Sequence, residues 1–240
     1  MKLVSKNNTI AIIPAAGSAN RMGFDKISSK LNGIPLLART IQTISAAESI
    51  SGIIVAAAPD KTTEVKKNIV EKYNLGKVIK IVAGGTSRTE SVWNALQAIE
   101  FSPEIIAIHD GARPFVSVEA IEESIKTAME FGGAIVATKV IPTIKEVNSD
   151  NEICGTIDRE KLWAAATPQT FRYNEFLEAY KEFLSGNVDK NSITDDAQIF
   201  ELSGRKVKIV EGNPENIKLT TPLDWKIAEM LVDKSHFGSK

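Results

Sequence analysis

A loop near the N-terminus combines small residues with two basic residues. It begins with Pro14-Ala15-Ala16-Gly17 and continues to the basic residues Arg21 and Lys26. Small side chains let a backbone approach a ligand closely, and N–H groups at a following helix start can face phosphate. Arginine adds a permanent, fork-shaped charge that suits phosphate oxygens. The loop matches neither G-x-G-x-x-G nor G-x-x-x-x-G-K-[ST], which excludes both familiar phosphate fingerprints. A tight turn with two solvated cations is the alternative interpretation.

A second loop could meet a nucleotide further along the chain. It reads Gly84-Gly85-Thr86-Ser87-Arg88-Thr89-Glu90-Ser91. Its glycines and hydroxyl residues suit backbone and hydroxyl contacts to a ribose or base. Ser87 and Glu90 have the spacing of a capping box, which predicts that a helix begins here. An ordinary glycine turn capped by Ser87 is the alternative.

A third candidate has an acidic residue at the end of an apolar run, in His109-Asp110-Gly111-Ala112-Arg113-Pro114. An aspartate in this position can hold a metal ion that is bound to phosphates. His109 is expected to be a hydrogen-bonded structural residue. The remaining signals are individually weak, being Thr156-Ile157-Asp158-Arg159, Thr167-Pro168-Gln169, Thr194-Asp195-Asp196 and Asn216-Ile217-Lys218.

The elements that must position these loops alternate between short apolar runs and stretches with helical spacing. The runs at 10–14, 53–58, 78–83, 105–108 and 134–137 predict buried strands. Val92 and Ile121 each begin an i, i+3, i+4, i+7 pattern, and Thr221-Pro222 predicts the start of a last helix. This alternation predicts an α/β fold with a parallel sheet covered on both faces. Ligands of such sheets lie beyond the carboxyl ends of the strands.

The alternation breaks between about 139 and 166. Charges interrupt the apolar positions, Asn148-Ser149-Asp150-Asn151 gives a turn signal, and Ile153 and Ile157 follow. This pattern predicts a hairpin that leaves the main body. Because an isolated two-stranded hairpin is marginally stable, we expect it to pack on a second subunit as a dimerisation arm.

Composition limits the classes of function. The 240 residues are 43% hydrophobic and 25% charged, with a net charge of −1, which favours one globular domain over 1–240. A dedicated nucleic-acid or membrane-surface binder would carry excess basic charge, so we expect neither partner. The single Cys154 excludes an intramolecular disulfide and a multi-cysteine metal site. With no membrane-length apolar run and no signal-like N-terminus, a cytoplasmic protein is expected.

Taken in order, these motifs resemble the 2-C-methyl-D-erythritol 4-phosphate cytidylyltransferase family from about residue 10 to 232. The resemblance implies a single Rossmann-like, three-layer nucleotidyltransferase domain with a mostly parallel sheet. Such an enzyme joins CTP to a methylerythritol phosphate, a small polyol phosphate, with Mg²⁺, and releases pyrophosphate. It also implies a homodimer whose protruding arm completes the partner's site.

The resemblance assigns roles to individual residues. The positions that match nucleotide contacts are Pro14, Ala15, Ala16, Gly17, Gly85, Arg88, Ser91, Asp110 and Gly111. The positions around the sugar phosphate are Asp110, Arg113, Thr143, Arg159, Thr167 and Lys218. Arg21, Lys26, Arg159 and Lys218 would stabilise charge during the reaction. The other subunit would supply Thr143 and Arg159, and Asp110 would assist a Mg²⁺ ion held mainly by CTP.

The first loop departs from the family pattern. A second glycine is usual where Ala19 stands, and the segment before the lysine looks about two residues shorter. Lys26 lies nine positions before Pro35, as the family's lysine does, while Lys30 is the competitor. Two alternatives stay open: a ribitol 5-phosphate cytidylyltransferase and a non-catalytic nucleotide-binding homologue.

Overall fold

The computed structural model describes residues 8–17, 28–186, 188–189 and 192–237, without the side chains of 234–237. Its strands are β1 (Thr9–Ala15), β2 (Lys30–Leu31), β3 (Ile34–Pro35), β4 (Ile50–Ala57), β5 (Val78–Ala83), β6 (Ile105–Ile108), β7 (Gly133–Lys139), β8 (Ile144–Val147), β9 (Ile153–Ile157), β10 (Trp163–Arg172) and β11 (Lys208–Glu211). Its helices are α1 (Leu36–Ala46), α2 (Thr62–Glu64), α3 (Arg88–Gln97), α4 (Val118–Phe131), α5 (Tyr173–Ser185), α6 (Asp196–Leu202) and α7 (Pro222–Phe237). A π-helical segment, Val65–Glu71, continues α2, and 3-10 turns cover Pro59–Lys61 and Arg159–Lys161.

Seven strands form the central sheet in the order β11-β7-β10-β6-β1-β4-β5. Strand β10 pairs antiparallel with β6 and β7, and the other pairings are parallel. The predicted mostly parallel sheet is therefore confirmed, and all five predicted strands lie in it. The predictions did not include β10 or β11.

The strands of the sheet centre are apolar on both faces because helices cover both. In β1, Ala11 and Ile13 pack in one cluster with α1 and α4, while Ile10 and Ile12 pack in the other with α3, α5 and α6. Every second side chain of a strand points to the same face, so a run of consecutive apolar residues supplies both clusters. The expected three-layer Rossmann-like arrangement is confirmed.

Both predicted helix starts are present. The Ser87 hydroxyl accepts the Glu90 N–H at 3.0 Å, so Ser87 is the N-cap of α3. The Glu90 carboxylate accepts the Thr86 N–H at 2.7 Å, one residue earlier than in a standard capping box. At α7, the Thr221 hydroxyl accepts the Asp224 N–H at 3.2 Å. Within the described ranges, each helix is too short or too polar to cross a bilayer.

The predicted hairpin is present as an extension of the sheet. Lys139 of β7 lies opposite Trp163 of β10, and between them β8 and β9 form a separate two-stranded sheet. Residues 140–162, hereafter the arm, are fewer than the predicted 139–166 because 163–165 pair with β7 in the main sheet. Ile141 is 77% exposed and Ile153 is 66% exposed. A role of the arm in dimerisation stays a prediction.

Candidate active site

A cavity of about 520 Å³ lies at the carboxyl ends of the parallel strands. Strand β1 has β4 on one side and β6 on the other, so the cavity lies where the strand order reverses, the expected ligand position in open α/β sheets. The lining residues come from four places: the end of β1 with the loop after it, the loop after β5 with the start of α3, the loop after β6, and the segment before α7. They are Pro14, Ala15, Ala16, Gly17, Gly85, Thr86, Ser87, Arg88, Ser91, Asp110, Gly111, Ala112 and Lys218. All nine predicted nucleotide contacts are in this set. Arg21 and Lys26 lie outside the described residues.

The first two loops touch each other, and this contact explains their small residues. A Cβ atom on Gly84 would lie 2.4 Å from the Ala16 Cβ, closer than real side chains approach. The Ser91 hydroxyl accepts the Gly85 N–H at 3.0 Å and donates to the Ser87 carbonyl at 2.8 Å. Ser91 was predicted to contact the nucleotide, and here its hydroxyl holds the glycine loop onto α3.

Asp110 is the centre of charge in the cavity. Its Oδ1 accepts from Arg88 Nε at 3.0 Å, and its Oδ2 lies 2.9 Å from Lys218 Nζ and 3.5 Å from Arg113 Nε. Burial alone would raise the pKa of this carboxyl, but Arg88, Lys218 and Arg113 hold the pKa well below its usual range. Asp110 is therefore ionised with both oxygens engaged.

Arg88 is held between two carboxylates. Its Nη1 lies 2.6 Å from Oδ2 of Asp196, which is 1% exposed. Burial disfavours the charged guanidinium, yet Asp196 and Asp110 raise the pKa of Arg88 above its ordinary value. Sequence reasoning did not include Asp196 in the site. The available signal was the Thr194-Asp195-Asp196 motif, in which a second acidic residue follows a helix cap.

His109 and Thr167 support Asp110 from inside the protein. Burial lowers the pKa of His109 to about 4, so the imidazole is neutral near pH 7. Its Nδ1 lies 3.0 Å from the Thr167 hydroxyl, and its Nε2 lies 2.9 Å from the Arg113 carbonyl. The Thr167 hydroxyl also accepts the Asp110 N–H at 3.1 Å. The expected structural role of His109 is confirmed, and the hydroxyl of Thr167, predicted to meet substrate, is used within this network.

The segment before α7 is attached to the same network. Arg113 Nη1 donates to the Asn216 carbonyl at 2.7 Å, and Asn216 Nδ2 donates to the Thr167 carbonyl at 2.8 Å. These contacts place Lys218 at the cavity, where 38% of its side chain is exposed. Arg113 is more enclosed and does not line the cavity, although its Nε faces Asp110.

The two predicted residues of the arm do not line the cavity of their own chain. Thr143 and Arg159 are exposed, and the Arg159 guanidinium donates to the Ile141 carbonyl. Thr143 directly precedes β8 and Arg159 follows β9 by two residues, so both flank the end of the arm where Ile144 pairs with Ile157. Their predicted action in a partner's site is not tested by a single chain.

The described residues do not by themselves form a magnesium site. Within those ranges, no three His, Cys, Asp or Glu residues are grouped so that they could hold a metal ion. Among the described residues, Asp110 is the one carboxylate that lines the cavity, and it has cations on both oxygens. The Mg²⁺ requirement and a metal-binding role of Asp110 stay predictions, in which a nucleotide's phosphates would supply most ligands.

Comparisons with known proteins agree with the cavity's composition. The family model for IspD, 2-C-methyl-D-erythritol 4-phosphate cytidylyltransferase, matches residues 9–234. The chain is 41% identical to the protein of that name from Alkaliphilus oremlandii, over 99% of this chain and 100% of the relative. It is 42% identical to the protein of that name from Clostridium acetobutylicum, over 94% and 97% of the two chains.

A solved structure extends the similarity to three dimensions. The 4-diphosphocytidyl-2C-methyl-D-erythritol synthase from Anaerococcus prevotii superposes with a TM-score of 0.82 at 32% identity. The match covers 94% of this chain and 96% of that chain. With a family model matched over nearly its whole length and a cavity lined by the expected loops, the chain belongs to the 2-C-methyl-D-erythritol 4-phosphate cytidylyltransferase (IspD) family.

Proposed function

We propose that this protein transfers the cytidylyl group of CTP to 2-C-methyl-D-erythritol 4-phosphate. The products are 4-CDP-2-C-methyl-D-erythritol and pyrophosphate, and the step belongs to isoprenoid precursor synthesis by the non-mevalonate route. The observation that carries the proposal is the single cavity lined by all nine predicted nucleotide contacts together with Lys218. Family membership selects the methylerythritol phosphate over ribitol 5-phosphate.

For this reaction, the protein must align the two phosphate substrates and stabilise the negative charge that develops on them. A phosphate oxygen of the polyol phosphate attacks the α-phosphorus of CTP, a new P–O bond forms, and the bond to pyrophosphate breaks. Negative charge grows on the α-phosphate and on the leaving group, so fixed cations in a partly water-excluded site lower the barrier. No protein nucleophile takes part, and the buried, neutral His109 is not needed as a base.

The cavity loops suit the nucleotide end of this reaction. Backbone groups of Ala15, Ala16 and Gly17 and of the Gly85 loop would read the cytosine, because small side chains leave room for a base. A Cβ atom on Gly85 would lie 2.2 Å from the Glu90 Cγ, so a larger residue displaces the carboxylate that holds Thr86. We expect Gly85→Val to weaken CTP binding in calorimetry with the fold intact by circular dichroism. Unchanged CTP affinity would contradict this assignment.

Lys218 suits the phosphate of the polyol substrate. It lines the cavity and its ammonium is partly exposed, so it can exchange its contact with Asp110 for a contact with an incoming phosphate. Arg21 and Lys26 would stabilise the triphosphate. Arg113 and Thr167 would act beside the polyol by fixing Asp110.

The second subunit would complete the site with its arm. The support is that the arm exposes apolar residues, and that Thr143 and Arg159 do not line the cavity of their own chain. We therefore propose a homodimer in which Arg159 counters the charge of the partner's polyol phosphate. We also propose a cytoplasmic location and a Mg²⁺ ion that accompanies the CTP phosphates.

The deciding experiment measures pyrophosphate release from CTP with methylerythritol phosphate or ribitol 5-phosphate, each with Mg²⁺ and with excess EDTA. We expect turnover with methylerythritol phosphate and Mg²⁺ only. Lys218→Gln should reduce turnover roughly 100-fold or more, while Lys206→Gln, at an exposed lysine outside the cavity, is the matched control. CTP binding without pyrophosphate release would indicate a non-catalytic homologue, and preference for ribitol 5-phosphate would indicate the sister activity.

A further inference from the structure

Asp196 is a buried carboxylate that faces the site from behind. It is 1% exposed, does not line the cavity, and its Oδ2 lies 2.6 Å from Arg88 Nη1. Neither of its carboxylate oxygens accepts a hydrogen bond from the described residues, so Arg88 holds Oδ2 as an ion pair. Burial raises the pKa of this carboxyl, and the Arg88 charge opposes the rise. A buried ion pair with one oxygen unpartnered contributes little to stability by itself, because desolvation offsets the attraction. Because stability alone does not explain this buried ion pair, we look for a role of Asp196 in substrate binding or catalysis.

The position of Asp196 is fixed from its own side. It is the first residue of α6, and its N–H donates to Gln169 Oε1 at 2.9 Å, as does the Ala197 N–H at 3.0 Å. The preceding Asp195 caps the helix by accepting the Gln198 N–H at 3.0 Å. Asp196 is therefore presented to Arg88 from a rigid helix start, and it does not follow Arg88 if the guanidinium moves.

Arg88 has two possible uses in a cavity that receives anions. It could pair with a phosphate, or it could hold Asp110 through Nε at 3.0 Å, as it does here. Because Asp196 occupies Nη1, the guanidinium plane is set on two sides, and turning it toward a phosphate would leave Asp196 buried without a partner. The cost of an unpaired buried charge opposes that rotation.

We propose that Asp196 is a positioning residue that holds the Arg88 guanidinium on Asp110, so that the Asp110 carboxylate keeps a fixed orientation toward the polyol phosphate. This inference rests on the proposed function for its substrate. Asp196 touches neither substrate in this assignment and acts only through Arg88. CTP keeps its backbone contacts with the Ala15–Gly17 and Gly85 loops, so the loss of Asp196 should affect the polyol phosphate more than CTP.

The test is Asp196→Asn, which keeps the shape of the side chain and removes its charge. We expect KM for methylerythritol phosphate to rise roughly 10- to 100-fold, with kcat and CTP affinity within about threefold of wild type. Glu201→Gln removes the same charge from the exposed side of α6, away from Asp196 and Arg88, so its KM should change less than about threefold. An equal rise in both variants would overturn the proposal.

A double-mutant cycle tests whether the effect passes through Arg88. In an Arg88→Gln background, Asp196→Asn should change KM for methylerythritol phosphate by less than about twofold. A full effect in that background overturns the proposal, as does a fall in Tm with KM unchanged, which would indicate a structural role alone. If Asp196→Asn does not fold, Arg88→Lys serves instead. A lysine cannot bridge both carboxylates, so KM should rise as for Asp196→Asn.

A readout independent of turnover separates this inference from the proposed function. In ¹⁵N-labelled protein, the Arg88 Nε–H resonance, assigned by its absence in Arg88→Gln, should exchange with solvent at least about tenfold faster in Asp196→Asn. Unchanged exchange overturns the inference even if the enzyme is active. If exchange is faster but the protein releases no pyrophosphate, the result supports the role of Asp196 in holding Arg88 and contradicts the proposed function.

Discussion

Asp110 in the cavity wall and Asp196 beneath it are both buried and both pair with Arg88, whereas the arm keeps its charged residues in solvent and exposes Ile141 and Ile153. The cavity wall is therefore set by contacts within one chain. The arm has a hydrogen-bonded ladder and few side chains to pack against. The difference teaches that one half of the proposed site is pre-organised in the monomer, while the other half depends on what covers the arm.

The largest effect on turnover and on stability is expected from Asp110→Asn in the cavity wall. The change leaves three cations around a neutral side chain, so we expect cytidylyl transfer to fall roughly 100- to 1000-fold and unfolding free energy to fall by about 3 kcal/mol. Pyrophosphate release and urea unfolding measure the two effects. Glu100→Gln breaks the exposed Lys80–Glu100 pair and is the control, which should be near neutral in both assays. A stable Asp110→Asn protein with normal turnover would remove Asp110 from the centre of the site.

The dependence of the two regions on each other is tested by mixing subunits. In the proposed homodimer, Arg159→Ala and Lys26→Ala should each be inactive alone, because the first lacks the proposed arm residue and the second lacks the proposed triphosphate lysine. After random subunit exchange, half of the dimers are mixed and each has one intact site, so about a quarter of wild-type activity should return. Mass spectrometry verifies the exchange. No recovery after verified exchange would mean that arm and cavity act within one chain.

Stability toward acid should depend on His109, which is buried behind the cavity wall. Its pKa is about 4 in the folded protein against 6.5 when unperturbed, so the unfolded chain binds the extra proton. His109 therefore destabilises the fold as pH falls from about 6.5 to 4, by about 3 kcal/mol in total and roughly two-thirds of that above pH 5. Unfolding free energies of wild type and His109→Gln between pH 7 and 5 measure it. The variant should show a shallower fall, and parallel curves would contradict the assignment.

The smallest effect is expected at Lys30, the exposed lysine of β2. Its backbone pairs with Pro35, and Lys30→Ala should behave as a surface change within about 0.5 kcal/mol. Turnover should be near normal at saturating CTP, whereas Lys26→Ala should lower turnover more than CTP affinity because its contact strengthens in the transition state. The reverse result would show that the shortened first loop is misaligned.

The sequence predicts those parts of the molecule where a local pattern has one structural meaning. Apolar runs such as Ile105–Ile108 mark buried parallel strands, and Ser87 with Glu90 marks a helix start. The buried part of β10, residues 166–171, has no such run, because Thr167, Gln169 and Thr170 interrupt it. Thr167 and Gln169 bond to Asp110 and Asp196, and Thr170 bonds to Ser124 of α4. A central strand that serves the site thus lacks the apolar signature used to recognise strands.

For the site, too, only residues with a local sequence signal could be predicted. The glycine loops and Asp110 could be predicted, because close backbone approach and charge at a strand end restrict the residue types. Asp196 could not be predicted as Arg88's partner, since 108 positions separate them and only the fold brings them together. Ser91 and Thr167 were assigned to ligands, but their hydroxyls bond within the protein, a distinction that residue type alone does not make.

The pairing of Lys139 with Trp163 makes the arm a modular insertion. Its two ends leave the sheet side by side on adjacent strands, so the arm can lengthen, shorten or be replaced by a tight turn without shifting the register of β7 against β10. Relatives of this fold can therefore diverge in how they assemble while the sheet beneath stays the same. For protein engineering, the same junction is a natural place to graft another structural element onto the unaltered sheet.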